Sequence, residues 1–339
     1  MYYLAATPEQ LAIVDTMAAF LADKLPVERH RTDRGKSGQH EFKIWQELAE
    51  IGAFGISAPE ADGGAGMTLV EEALAFREYG RFLLSPSVLA TVLAGKIFMH
   101  QGSGDVARHF QAGEKRAALA IELPNSTDGN YLLLDAAGAD HAVIWIESGI
   151  ALFEMEYVKD RKASRSLDQA ITVEFATIDQ KSKHIWISKK DRPLNVLADV
   201  LTSAMLVGVA EAVRDMAVAY AKIREQFGKP IGAFQAIKHR CADMAVRAEA
   251  AWAQTAMATL KLHSNQPDAD FHAASAKLVG SIAALEGARA NIQVHGAIGF
   301  TAESNAHLFL KRAHFLDQVG GAMRAQKMRI ISKKEVNLE

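Results

Sequence analysis

The sequence has one cysteine, Cys241, in 339 residues. A lone thiol excludes an internal disulfide and suits a reducing cytoplasm, where we place the chain. With no second thiol and no evident partner histidine, Cys241 reads as a small core residue. An excess of either charge is also missing: 38 Lys and Arg stand against 40 Asp and Glu, a net of −2. No basic cluster is interleaved with aromatic residues, which argues against nucleic acid as a partner. Metal-ligand spacing, a Walker loop and a Ser-His-Asp signature are all absent. The N-terminus, MYYLAATPEQLAIVDTMAAF, lacks a basic segment and carries Glu9 and Asp15, so it is a poor signal peptide. The most apolar stretch, VLADVLTSAMLVGVAEAV, holds Asp199 and Glu211 and reads as a buried helix rather than a membrane span.

What is present is ordinary for a soluble globular protein: 49% hydrophobic and 23% charged residues. The length allows two or three units around large cores. Residues 1–113 have helical texture. A first helix is capped at Thr7 with Pro8 at its first position. Another ends near Ile51-Gly52, and a third starts near Thr68, where Glu71 completes a capping box. The intervening DGGAG has no strand at the required spacing before it and no P-loop lysine after it, so it reads as a turn. Over 114–191 the texture changes to ALAIEL, YLLLDA, HAVIWIE, IALFEME, ITVEFATI and HIWISK, short apolar runs separated by turn residues. From 192 to 339 the chain is helical again. Helices are expected over 195–225, from Ala233, over 268–294 and over 304–319. In the second, Phe234, Ile237, Cys241, Met244 and Ala248 recur at helical period. The expected fold is mainly α with a small central β domain, an α–β–α order ending in a four-helix bundle.

Two stretches of the bundle are more specific: REQFGKPIGAFQAIKHRCADM and QVHGAIGFTAESNAHLFLKRA. In this order and separation they resemble the C-terminal domain of the acyl-CoA dehydrogenases. WQELAEIGAFGISAPEADGGAGMTLVEEALAFREYGR is similar to that family's N-terminal helical domain, so the likeness spans nearly the whole chain. It implies FAD as cofactor and an acyl-CoA thioester as substrate. Arg224 offers a planar, permanently charged donor suited to a diphosphate. Phe227 gives an apolar surface, Gln226 and Gln235 offer amides, and Ile231 can wall the pocket. Gln293 and the backbone at Val294, Gly296 and Ala297 can lie close to the adenosine, glycine permitting the approach. In the family such residues resemble a half-site that reaches FAD held mainly by a neighbouring subunit.

The family's base is a carboxylate, commonly a Glu-Gly pair after the fourth bundle helix. Here AHFLDQVGGAMRAQ places Gly320 on the glutamate and Gly321 on the glycine. The alternative glutamate position, on the first bundle helix, falls on Ala198. Asp199 is rotated about 100° from it, and Asp317 lies nearly a turn before Gly320; both are weak substitutes. The segment after the first strand, NSTDGN, is short beside the family's polar turn. Trp145 and Trp186 read as strand core, and His295 and His314 as packed or exposed histidines. No catalytic residue is assigned.

Residues resembling those that serve a neighbour's FAD are present, while the residues the resemblance implies for the chain's own flavin and chemistry are not matched. The chain therefore resembles the partner subunit of the heteromeric (α2β2) bacterial acyl-CoA dehydrogenases that degrade steroid side chains. Such an enzyme implies a homologous companion carrying the glutamate and an electron acceptor such as an electron-transfer flavoprotein. A self-sufficient dehydrogenase with an unrecognised base, a flavin-free acyl-CoA binding protein and a purely structural bundle stay open as alternatives.

Overall fold

The computed structural model describes residues 6–32, 39–123, 129–146, 149–179, 185–187 and 194–332. It divides into two compact units. One combines Met1–Thr32, Ala73–Leu83 and Asp199–Glu339; the other combines Asp33–Glu72 and Leu84–Ala198.

Helix α1 (Pro8–Lys24) begins as its sequence dictates. Thr7 Oγ1 accepts from the Gln10 amide at 3.3 Å and Gln10 Oε1 accepts from the Thr7 amide at 2.9 Å, a reciprocal cap. Helices α2 (Trp45–Glu50), α3 (Leu69–Arg81), α4 (Ser87–His100) and α5 (Gly104–Gln111) follow. At the start of α3, Glu71 accepts from the Thr68 amide at 2.9 Å, while Thr68 Oγ1 takes the Val70 amide at 3.1 Å. The glycine-rich turn before it is spent on its own chain. The Gly64 amide donates to Pro59 and the Gly66 amide to Ala58, which leaves neither for a phosphate.

The β region is a seven-stranded mixed sheet: β1 (Ala117–Glu122), β2 (Asn130–Leu134), β3 (His141–Ile146), β4 (Gly149–Glu154), β5 (Lys159–Ser164), β6 (Val173–Thr177) and β7 (Ile185–Ile187). The order is β5-β6-β2-β1-β3-β4-β7, with β1 and β3 parallel and the other pairs antiparallel. Tyr131, Leu133, Ile144 and Phe153 fill one core cluster. Strand β5, KDRKAS, has no apolar alternation because it is an edge whose side chains are mostly exposed. Several buried polar groups of this unit are paired. Lys96 Nζ lies 3.2 Å from Glu72 and 2.6 Å from Ser57, and the Ser85 hydroxyl donates to Asp135 at 2.6 Å.

The C-terminal region is helical: α6 (Leu194–Ile223), α7 (Gln235–His263), α8 (Ala269–His295), α9 (Ala306–Gln318) and α10 (Met323–Ser332). The first four are the expected bundle helices; α10 is a further helix beyond the glycine pair. Among the described residues α6 is the one helix long and apolar enough to cross a membrane, yet 94% of its most apolar window is buried inside the protein. Ala210, Ala248, Ala251 and Ala283 form a small-residue core with Val207. Buried Glu211 takes two hydrogen bonds from Arg77, both 2.7 Å, and one from Arg81 at 3.3 Å. Cys241, expected in the core, is only half-buried on α7, where burial still pushes its thiol up. Its apolar face is deeply buried only further along, at Met244 and Ala248.

Candidate functional site

Helix α6 ends where Gly228 and Pro230 forbid its continuation. The chain turns instead through a hairpin, Glu225–Gln226 pairing antiparallel with Lys229–Pro230. Its two-residue loop is Phe227 at φ 53° and Gly228 at φ 77°. Two successive positive φ values define a type I′ turn, whose usual occupants are Asn and Gly. Phe227 is therefore in a left-handed conformation that costs a bulky residue about 1–2 kcal/mol. It is also 92% exposed. Its ring meets Phe234 edge-on at 6.1 Å, and Lys229 Nζ lies 4.5 Å from the Phe234 ring centre.

Arg224, Gln226 and Gln235 are exposed around this hairpin and Ile231 is half-buried. At the end of α8, Gln293, Gly296 and Ala297 are exposed, while the Val294 side chain is buried and can offer only its main chain. Gly296 has φ 64°, and no atom lies within 4 Å of where a Cβ would stand. The two segments are brought together by Tyr220 and His295, whose rings stack at 4.2 Å. Sequence reasoning passed over Tyr220, Lys229 and the Phe234 ring as site groups. The available signal was Tyr220 one helical turn before Arg224.

The positions where a base is expected hold none. Gly320 (φ 63°) and Gly321 (φ 99°) form the turn between α9 and α10. Buried Lys277 donates to the carbonyls of Asp317 at 3.4 Å, Gly321 at 3.3 Å and also Val319. Gln326 Nε2 donates to the Gly320 and Gly321 carbonyls, both at 3.2 Å. Ala198 is buried. Asp199 is buried and takes a hydrogen bond from Arg329, which also reaches Asp270. Burial pushes its carboxyl up, against the opposing pull of Lys277 and Arg329. Asp317 accepts the Met323 amide at 3.2 Å and the Gln318 amide group at 3.3 Å. Both aspartates are thus committed to internal partners.

Of the other singled-out residues, His314 and Trp145 are half-buried, and His295 donates from Nδ1 to the Asn291 carbonyl at 2.9 Å. Trp186 falls in β7, but its side chain and residues 124–128 of the turn after β1 lie outside the described residues.

Residues 7–111 match the acyl-CoA dehydrogenase N-terminal domain and residues 199–334 the acyl-CoA dehydrogenase C-terminal domain. The acyl-CoA dehydrogenase IpdE2 of Mycobacterium tuberculosis is 30% identical over 310 residues, covering 90% of this chain and 91% of IpdE2. The acyl-CoA dehydrogenase FadE34 of the same organism is 32% identical over 301 residues, covering 80% of this chain. Only 39% of FadE34's own length is spanned. The ChsE4–ChsE5 complex of Mycobacterium tuberculosis superposes with a TM-score of 0.80 at 20% identity, over 99% of this chain and 100% of that one. From both terminal domains, and from a relative matched almost end to end, the chain belongs to the acyl-CoA dehydrogenase family.

Proposed function

We propose that this chain is the base-less subunit of a heteromeric, FAD-dependent acyl-CoA dehydrogenase, and that it completes the nucleotide side of an FAD site held mainly by a companion. The observation that carries the reading is Phe227. A large ring that is 92% exposed in a left-handed conformation is unfavourable twice over in the isolated chain. A partner surface would offset both costs. Ile223, 77% exposed, and Phe300, 73% exposed, flank the same two segments. Together they suit an interface.

The residues fit the nucleotide half of FAD. Arg224 supplies the planar cation for a diphosphate, Gln226, Gln235 and Gln293 supply amides, and Phe227 with Ile231 supplies apolar cover. Open space at Gly296 lets the main chain of Val294, Gly296 and Ala297 come close. Bound FAD supplies the hydride acceptor for α,β-dehydrogenation of the thioester. The proton at the α carbon needs a carboxylate base, and the turn at Gly320 offers no side chain for it. That base belongs to the companion. The substrate class in this reading is an acyl-CoA with a bulky acyl group, such as one attached to a steroid nucleus. An electron-transfer flavoprotein would serve as the electron acceptor.

The test is to tag this chain, purify it from its own cells and from a foreign host, and compare flavin absorbance. The expected result is flavin together with a second dehydrogenase-like chain in the first case and little flavin in the second. Stoichiometric FAD in the isolated chain, with dye reduction by an acyl-CoA, would overturn the proposal. Arg224→Ala lowers FAD retention about tenfold or more, the loss expected of a charge-assisted contact. Gly320→Glu alone does not confer robust activity.

A further inference from the structure

Helices α6 and α8 meet along a continuous seam. A Cβ at Gly280 would stand 3.0 Å from Ser203 Oγ, and one at Gly287 would stand 3.2 Å from Val213 Cγ2. Further along, Asn291 Nδ2 lies 3.2 Å from Met216 Sδ. One turn later comes the stack of Tyr220 on His295, with ring centres 4.2 Å apart and planes 20° apart. Residue numbers rise together on both helices, so the helices run parallel and their C-terminal ends emerge side by side. Those ends carry the Arg224 hairpin and the Gln293–Ala297 turn.

His295 is fixed on three sides. A carbonyl oxygen can only accept, so the hydrogen bond to Asn291 O puts the proton on Nδ1 and sets the ring orientation. One face of the ring lies on Tyr220. The chain then folds back over it: a Cβ at Gly299 would stand 3.1 Å from His295 Cβ and 2.7 Å from the Ile292 carbonyl. The ring thus joins the last turn of one helix to the loop that leaves the other.

We infer that Tyr220 and His295 are positioning residues, a stacked pair that sets the spacing between Arg224 and the Gln293–Ala297 turn and so presents them as one nucleotide-binding surface. Their role is to act through those two segments rather than on the nucleotide itself. The inference rests on the half-site proposed above, and its test separates the two.

The tagged chain is purified with its companion from its own cells as wild type, Tyr220→Ala, Tyr220→Phe, His295→Ala, Arg224→Ala and the Tyr220→Ala/Arg224→Ala double variant. The dissociation constant for FAD is measured on each assembly, and the melting of each tagged chain alone checks that it folds. Tyr220→Ala and His295→Ala are expected to weaken FAD binding about tenfold, and Tyr220→Phe to retain wild-type affinity. In the double variant the two losses combine to less than their product, because Tyr220 acts through Arg224. Where the alanine variant does not fold, Tyr220→Leu keeps the bulk and loses the flat stack, with the same expected weakening. Wild-type affinity in the folded Tyr220 variants, or fully multiplicative losses, overturns the positioning role while the half-site stands. No effect of Arg224→Ala, or no flavin in the wild-type assembly, overturns the half-site and this inference with it.

Discussion

Lys277 holds Gly321: its ammonium, wholly buried on α8, donates to the Gly321 carbonyl at 3.3 Å across the Gly320-Gly321 turn. The same ammonium also serves the carbonyls of Asp317 and Val319. The turn is pinned by a cation rather than by an apolar plug. Lys277→Met would remove this donor from all three carbonyls, leaving Gly321 with Gln326 alone, and is expected to destabilise the protein by roughly 3 kcal/mol. Denaturant unfolding, followed by circular dichroism, measures it.

Arg329 reaches from α10 to the buried carboxylate of Asp199. Arg329→Ala strands that charge and is expected to cost about 3–5 kcal/mol at neutral pH. Burial already raises the Asp199 carboxyl, and the variant raises it further. An acid with a raised folded pKa binds its proton more tightly when folded, so the variant regains stability as pH falls and loses it as pH rises. Melting temperatures across acidic pH, wild type against variant, should converge towards the acid end.

Two buried groups in the β-containing unit set opposite pH slopes. His141 packs against Phe98 and Phe110, and burial lowers its pKa from 6.5 to about 4. Below 6.5 the unfolded chain takes a proton that the folded one refuses, so this stabilisation is complete above 6.5 and is lost towards pH 4. The span is worth roughly 3 kcal/mol. Asp135, raised by burial from 3.8 to about 6, works the other way, losing stability as pH rises through that window. His141→Phe should therefore leave stability that falls between pH 4 and 6, and Asp135→Asn stability that rises. Chemical denaturation at fixed pH steps checks both signs.

Gly80 and Gly208 face each other's helix backbone. A Cβ at Gly208 would stand 1.9 Å from the Arg77 carbonyl oxygen, and one at Gly80 would stand 2.0 Å from that of Met205. Such an approach admits no side chain. Gly208→Ala is expected to cost about 3 kcal/mol or more through forced separation of the helices, seen as a lowered thermal midpoint. Gly102→Ala is a useful contrast, since it meets no atom within 4 Å and pays only for its φ of 80°.

Relief of the strained turn should separate stability from function. Phe227→Gly is expected to stabilise the isolated chain by about 1 kcal/mol while weakening association with the companion proposed above and its flavin. A melting curve of the chain alone and the flavin content of the assembly read the two effects independently.

Much of the fold was legible because it depends on neighbours a few residues away. The Thr7 cap, the helix stop before Gly228 and the strand runs from Ala118 to Ile187 rest on local capping, φ restriction and alternation. Strand β5 was not legible: an edge strand faces water, so its polar sequence carries no alternation. The helix after Gly320-Gly321 follows two breakers, which permit a turn between two helices without requiring one. Within the site, the Arg224 and Gln293 motifs could be read from residue types, yet not the left-handed Phe227 or the Tyr220–His295 stack.

The sequence by itself determined the order of helix and strand, the family, and that neither Gly320 nor Ala198 carries a carboxylate, since each depends on residue identity at a position. Only the tertiary structure decided that Met1–Thr32 and Ala73–Leu83 join Asp199–Glu339 in one compact unit, that Asp199 is paired with Arg329, and that Cys241 is half-exposed. Asp199 and Arg329 are 130 residues apart. Charges buried at that separation are matched by packing geometry, which no local propensity encodes.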